Sequence, residues 1–164
     1  MPGKISKKPP VRILVPIAHR ADRGLMTRAL YALSAFKDPE IVLFHVVELP
    51  SRTVPIEVVS RKEEIALAGE ILAPISEWLK EQGYATRKKI VVARDVAEAI
   101  VNEANAEDYA FVIMTKRQPK KGIGGLFHHS VSERVIREAK SMVLTTLTTE
   151  SKVLNDRGVS ANTK

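Results

Sequence analysis

Five short apolar runs punctuate the chain: "VRILVPI" at residues 11–17, "IVLFHVV" at 41–47, "KIVV" at 89–92, "AFVIM" at 110–114 and "MVLTTL" at 142–147. Several are continuous rather than alternating, the pattern of strands buried on both faces of a parallel sheet. Between them the apolar positions recur at helical spacing, at Leu25, Ala29, Ala32, Leu33 and Phe36, and again at Ile65, Ala68, Ile71, Leu72, Ile75 and Leu79. Helix starts are signalled by three pairs that read as capping boxes, Ser60 with Glu63, Asp95 with Glu98 and Ser130 with Glu133. Pro74 falls inside the second helical stretch, but the period continues through it to Trp78 and Leu79, which predicts one kinked helix.

The resulting order is strand, helix, strand, helix, strand, helix, strand, long loop, helix, strand. Alternation of this kind predicts an α/β fold, a doubly wound five-stranded parallel sheet with helices on both faces. One such domain accounts for residues 11–148. It leaves a basic, proline-rich tail at 1–10 and a polar, weakly periodic tail at 149–164 that reads as disordered. In sheets of this type ligands sit beyond the carboxyl ends of the strands, where the strand order reverses. If the first and fourth strands flank that reversal, the residues after "VRILVPI" and the loop after "AFVIM" face one crevice.

Composition narrows the function. The 164 residues contain no cysteine, so a disulfide framework or zinc-thiolate site is not available and a reduced cytoplasm is the expected setting. No run approaches the ~20 apolar residues of a membrane span, so no membrane insertion is expected. The net charge of +7 admits nucleic acid, anionic surfaces or phosphate as partners. Aromatics make up only 5% of the chain and no recognition motif appears, which argues against a nucleic-acid reader. The tail lysines and the triplet Arg87, Lys88 and Lys89 read as solvated surface. His128 and His129 lack acidic or thiol ligands at helpful spacing, and no metal site is expected. His45 reads as a hydrogen-bonded core residue. Nor does spacing suggest a serine, histidine and acid set, so no enzyme is expected.

One segment carries candidate chemistry. "MTKRQPKKGIGGLFHHSVSERV", residues 114–135, runs from a strand end through a basic, glycine-containing loop to a helix start. That layout lets backbone N–H groups and a helix dipole hold an anion. Together with the opening "ILVPIAH", the second strand "VLFHVV" and the ending "SVSERVIREAKSMVLTTL", it resembles the universal stress protein family. The resemblance covers nearly the whole domain and implies a doubly wound α/β fold, usually dimeric, that in some members binds ATP or AMP.

Nucleotide-binding members of that family carry Gly-x2-Gly-x9-Gly-Ser/Thr after the fourth strand. With the final position set at Ser130, the three glycine positions fall on Lys116, Pro119 and His129. The aspartate that holds the nucleoside at the end of the first strand corresponds to Ala18, whereas Val46 matches the apolar position lining the adenine pocket. Gly122 and its neighbours lie between the motif positions. Pro119 has no N–H to donate and Lys116 carries a Cβ, so the backbone cradle is compromised. Lys116, Arg117, Lys120 and Lys121 could instead hold phosphate through charge, and His129 could plug the space. The resemblance therefore implies a regulatory, stress-response module with a degenerate nucleotide site and an unidentified protein partner. The alternative is a genuine ATP or AMP sensor that uses the basic loop 116–121. The last apolar run, from Met142 to Leu147, carries no charge or proline to defend a sheet edge, and is expected to pair a homodimer antiparallel.

Overall fold

The computed structural model describes residues 10–18, 38–50, 61–117 and 131–148, together with 26, 27, 29, 31 and 36. Its elements are β1 (Arg12–Pro16), β2 (Glu40–Glu48), α1 (Lys62–Glu81), β3 (Ala85–Ala93), α2 (Val96–Ala106), β4 (Tyr109–Arg117), α3 (Val131–Glu138) and β5 (Met142–Thr148). All five strands pair in parallel in the order β3-β2-β1-β4-β5. The order therefore reverses between β1 and β4, as the sequence suggested, and β3 and β5 form the two edges.

Period-two alternation splits each central strand between two cores. Ile13, Val15, Ile41, Leu43 and Ile113 face Leu72, Ile75 and Leu79 of α1, joined by Met26 and Ala29. Leu14, Val42, Phe44, Val112 and Met114 face Ile100, Val101 and Ala104 of α2 and Val135 of α3. Helices thus cover both faces, and β2 reads as an uninterrupted apolar run because each of its faces is buried. The helical spacing from Leu25 to Phe36 falls mostly outside the described residues. Within it, 26, 27, 29 and 31 are helical, and Phe36 stacks edge-on against Phe111 with ring centroids 5.1 Å apart.

α1 passes through Pro74 as a single helix. Arg61 occupies its N-cap without a side-chain cap bond and donates instead to Glu64 at 2.7 Å. Ser60, expected in that role, lies outside the described residues. Gly83, at φ 87, lets the chain reverse after α1 so that Tyr84 N–H reaches the Leu79 carbonyl at 3.0 Å. Asp95 caps α2 as expected, accepting the Glu98 N–H at 2.9 Å. Ser130, the expected cap of α3, lies outside the described residues.

The triplet Arg87, Lys88 and Lys89 forms part of the edge strand β3, where Arg87 and Lys88 are exposed, as expected of solvated surface, and Lys89 is half-buried. Lys89 Nζ meets the buried Glu103 at 2.6 Å, and Arg87 donates to Glu107 at 3.1 Å. Arg12 bridges Glu40 and Glu107 at 3.0 Å and 2.6 Å. These groups close the amino end of the sheet. Burial, reinforced by the hydroxyl's bond to Glu103 at 2.7 Å, holds the Tyr109 phenol well above its ordinary pKa.

Candidate functional site

At the opposite, carboxyl end of the strands lies a cavity of about 700 Å³, placed where the strand order reverses. Pro16, Ile17 and Ala18 leaving β1 form one wall, and the stretch from Phe44 to Glu48 of β2 forms the floor. Glu64, Leu67, Ala68 and Ile71 of α1 close one side. Val96 and Ile100 of α2, Met114 of β4, and Val131 and Ser132 of α3 close the other. The lining is mainly apolar, with a few polar groups at its margin, which is the usual composition of a small-molecule site.

The helices that frame it are fixed by polar ties. Arg134 of α3 pairs with Asp95, the cap of α2, and with Glu138 at 3.2 Å. Asn105 donates to the Glu138 carbonyl at 3.1 Å and accepts the Lys140 N–H at 2.8 Å. α3 is therefore held against α2 at both ends, which presents its first turn to the crevice. The Glu98 N–H bond, helped by Arg134, keeps the Asp95 carboxyl below the usual aspartate range.

The backbone supplies the most directed polar groups. Phe44 O accepts Ile17 N–H at 2.8 Å on the β1 side, and Leu49 N–H reaches Ala93 O at 2.8 Å on the β3 side. Alternation along β2 then turns the N–H and C=O of Val46 toward the β1 side. β1 has already ended there, since the last ladder pair is Pro16 with Phe44. His45 is buried, 9% exposed, and its Nδ1 donates to the Ile17 carbonyl at 2.8 Å, as expected of a satisfied core histidine. Because a carbonyl only accepts, this bond assigns the proton to Nδ1.

The sequence-derived site residues thus separate into two groups. Ala18 and Val46, 28 positions apart in the chain, meet across the crevice, Ala18 exposed and Val46 half-buried. Lys116 lies in the last turns of strand pairing in β4, opposite Leu147 of β5. Pro119, Lys120, Lys121, Gly122, His129 and Ser130 lie outside the described residues. Sequence reasoning did not foresee the α1 wall. The available signal was Leu67, an apolar residue off the buried stripe of α1 and 56% exposed.

The universal stress protein family matches residues 11–146. Among solved structures, the chain is similar to the universal stress protein of Archaeoglobus fulgidus, at 21% identity and TM-score 0.60, covering 82% of this chain and 92% of that one. It is also similar to the universal stress protein of that organism in complex with dAMP, at 18% identity and TM-score 0.59, covering 82% and 96%. A universal stress protein family protein from Arabidopsis thaliana with AMP bound is 18% identical, with TM-score 0.61, covering 90% and 97%. No curated protein matches the chain significantly. With the sheet order, the crevice and a family match across most of its length in agreement, this chain belongs to the universal stress protein family.

Proposed function

We propose that the protein is a regulatory module of the universal stress protein type, acting in the cytoplasm through self-association and contact with a protein partner, with a degenerate nucleotide site. The observation that carries this reading is Ala18. It lines the crevice at the end of β1, where the family resemblance sets a nucleoside-binding aspartate, and a methyl group cannot accept a ribose hydroxyl. Lys116, Pro119 and His129 at the glycine positions remove the backbone phosphate cradle in the same way. Base recognition is retained: the Val46 N–H and C=O suit a heterocycle edge with adjacent acceptor and amino donor, as in adenine. Buried His45, its Nδ1–H engaged by Ile17, favours a structural over a catalytic role. Protein purified, heated and extracted is expected to release far less than one adenine nucleotide per chain. Stoichiometric release overturns the reading.

A second reading, an ATP or AMP sensor, is favoured by that same Val46 edge and by the relatives solved with AMP and dAMP. In it Lys116, Lys120 and Lys121 replace the glycines, and neutralising all three together abolishes nucleotide binding. If phosphate affinity survives that change, the sensor reading fails.

Self-association is assigned to β5. It is a sheet edge that opens with the exposed Met142, whereas the β3 edge carries Arg87, Lys88 and Lys89. Of Thr145→Pro and Thr146→Pro, alternation puts one on an outward N–H. That variant is expected to stay folded by circular dichroism and become monomeric by light scattering. A folded wild type that is monomeric at high concentration refutes the assignment.

A further inference from the structure

We infer that His45 is a positioning residue that keeps the Val46 N–H available to a ligand by taking the Ile17 carbonyl that would otherwise accept it. The ladder between β1 and β2 runs at constant offset from Arg12 with Glu40 to Pro16 with Phe44, and Ile17 N–H extends it by one bond to Phe44 O at 2.8 Å. In a parallel ladder, a residue that donates to one neighbour of its counterpart accepts from the other. The next bond due is therefore Val46 N–H to Ile17 O. His45 Nδ1 occupies that carbonyl instead, at 2.8 Å, and β1 ends at Pro16.

The release is confined to one side of β2. The strand continues to Glu48 and stays paired with β3 through Glu48 and Ala93, so Val46 remains in regular extended backbone. Among the described residues no backbone group replaces Ile17 as its acceptor. Val46, Ile17 and Ala18 all line the crevice, so the freed N–H opens into it. The exchange also fixes the wall: Ile17 is held at its N–H by Phe44 and at its C=O by His45, which sets where Ala18 emerges. One imidazole thereby anchors the β1 exit and withholds a carbonyl from the strand edge that reads a base.

The nucleotide reading enters only through the choice of ligand; the backbone exchange stands or falls separately. NMR of the full labelled chain tests both, through scalar couplings across hydrogen bonds and an AMP titration. Wild type is expected to show coupling from His45 Nδ1 to the Ile17 carbonyl carbon and none from the Val46 amide. In His45→Leu, the Val46-to-Ile17 coupling appears and AMP affinity falls about tenfold, the value of one hydrogen bond. His45→Asn, whose amide can donate in place of Nδ1, restores the wild-type pattern and affinity. Coupling between Val46 and Ile17 in wild type overturns the inference, as does its absence in a folded His45→Leu. If His45→Leu does not fold, the wild-type and His45→Asn spectra decide. Wild type with no AMP binding overturns the nucleotide reading, and the couplings then judge His45 alone.

Discussion

Lys89→Met tests whether the amino end of the sheet is held by buried charge or merely decorated with it. Glu103 is 7% exposed and accepts Lys89 Nζ at 2.6 Å and 2.8 Å and the Tyr109 hydroxyl at 2.7 Å. Removing Lys89 leaves that carboxylate with Tyr109 as its donor. Breaking a fully buried pair in this way costs about 3–5 kcal/mol. Lys89 is itself 35% exposed, so water moderates the loss, and the expected cost is about 2 kcal/mol. Arg87 provides the comparison: it is 42% exposed and reaches Glu107 at 3.1 Å and Glu40 at 3.8 Å. Arg87→Met is accordingly expected to cost less than about 1 kcal/mol. Urea unfolding near neutral pH, with midpoints compared at a common slope, reads both. Adding Glu103→Gln to Lys89→Met should recover part of the loss, because a neutral amide needs no counter-charge and can still accept from Tyr109. Equal losses from the two single variants, or a double variant no better than Lys89→Met, would show that buried Glu103 does not depend on the Lys89 charge.

Ala18→Asp returns a carboxylate to the exposed end of β1, and a charged hydrogen bond to a ribose hydroxyl at about 1.5–3 kcal/mol should tighten AMP binding about 10- to 100-fold; unchanged calorimetric affinity would count against the placement of the site. Asp95→Ala removes the α2 cap and the Arg134 pair, at an expected cost of about 1 kcal/mol. Because the Asp95 pKa is lowered in the folded state, its contribution is complete above the ordinary value of 3.8 and is lost as pH falls through the lowered one. The stability gap between wild type and Asp95→Ala should therefore close in strong acid, and a gap that persists there contradicts the assignment. Thr145 Oγ1 is buried without a hydrogen-bond partner among the described residues, so the near-isosteric Thr145→Val should raise stability by about 1 kcal/mol; a lower urea midpoint would show that the hydroxyl is satisfied.

The sheet was legible because its central strands are buried on both sides. "IVLFHVV" could hardly be anything other than a parallel strand, and β2 contains all of it. The edge strand was read short: β3 begins at Ala85, four residues before "KIVV". Its first half pairs with β2 through backbone bonds that carry no side-chain signature, as in Glu40 with Ala85. Arg87 and Lys89 face carboxylates at Glu40, Glu103 and Glu107, distant in sequence, so a local reading sees only a charge run. At the site, Ala18 and Val46 were found by alignment to a family pattern, while the released backbone edge of Val46 was not. A missing ladder bond is a relation between two strands and leaves no mark on the side-chain sequence.

In the function proposed above, the crevice offers a base the Val46 backbone edge but no firm hold on ribose or phosphate. Isothermal calorimetry of AMP against the full wild-type chain tests it most directly. Without the carboxylate at position 18 and the three glycines, a site of ordinary micromolar strength loses about 3–4 kcal/mol, which sets the expected dissociation constant above about 0.1 mM. A constant below about 10 µM would contradict the account and make the chain a nucleotide sensor.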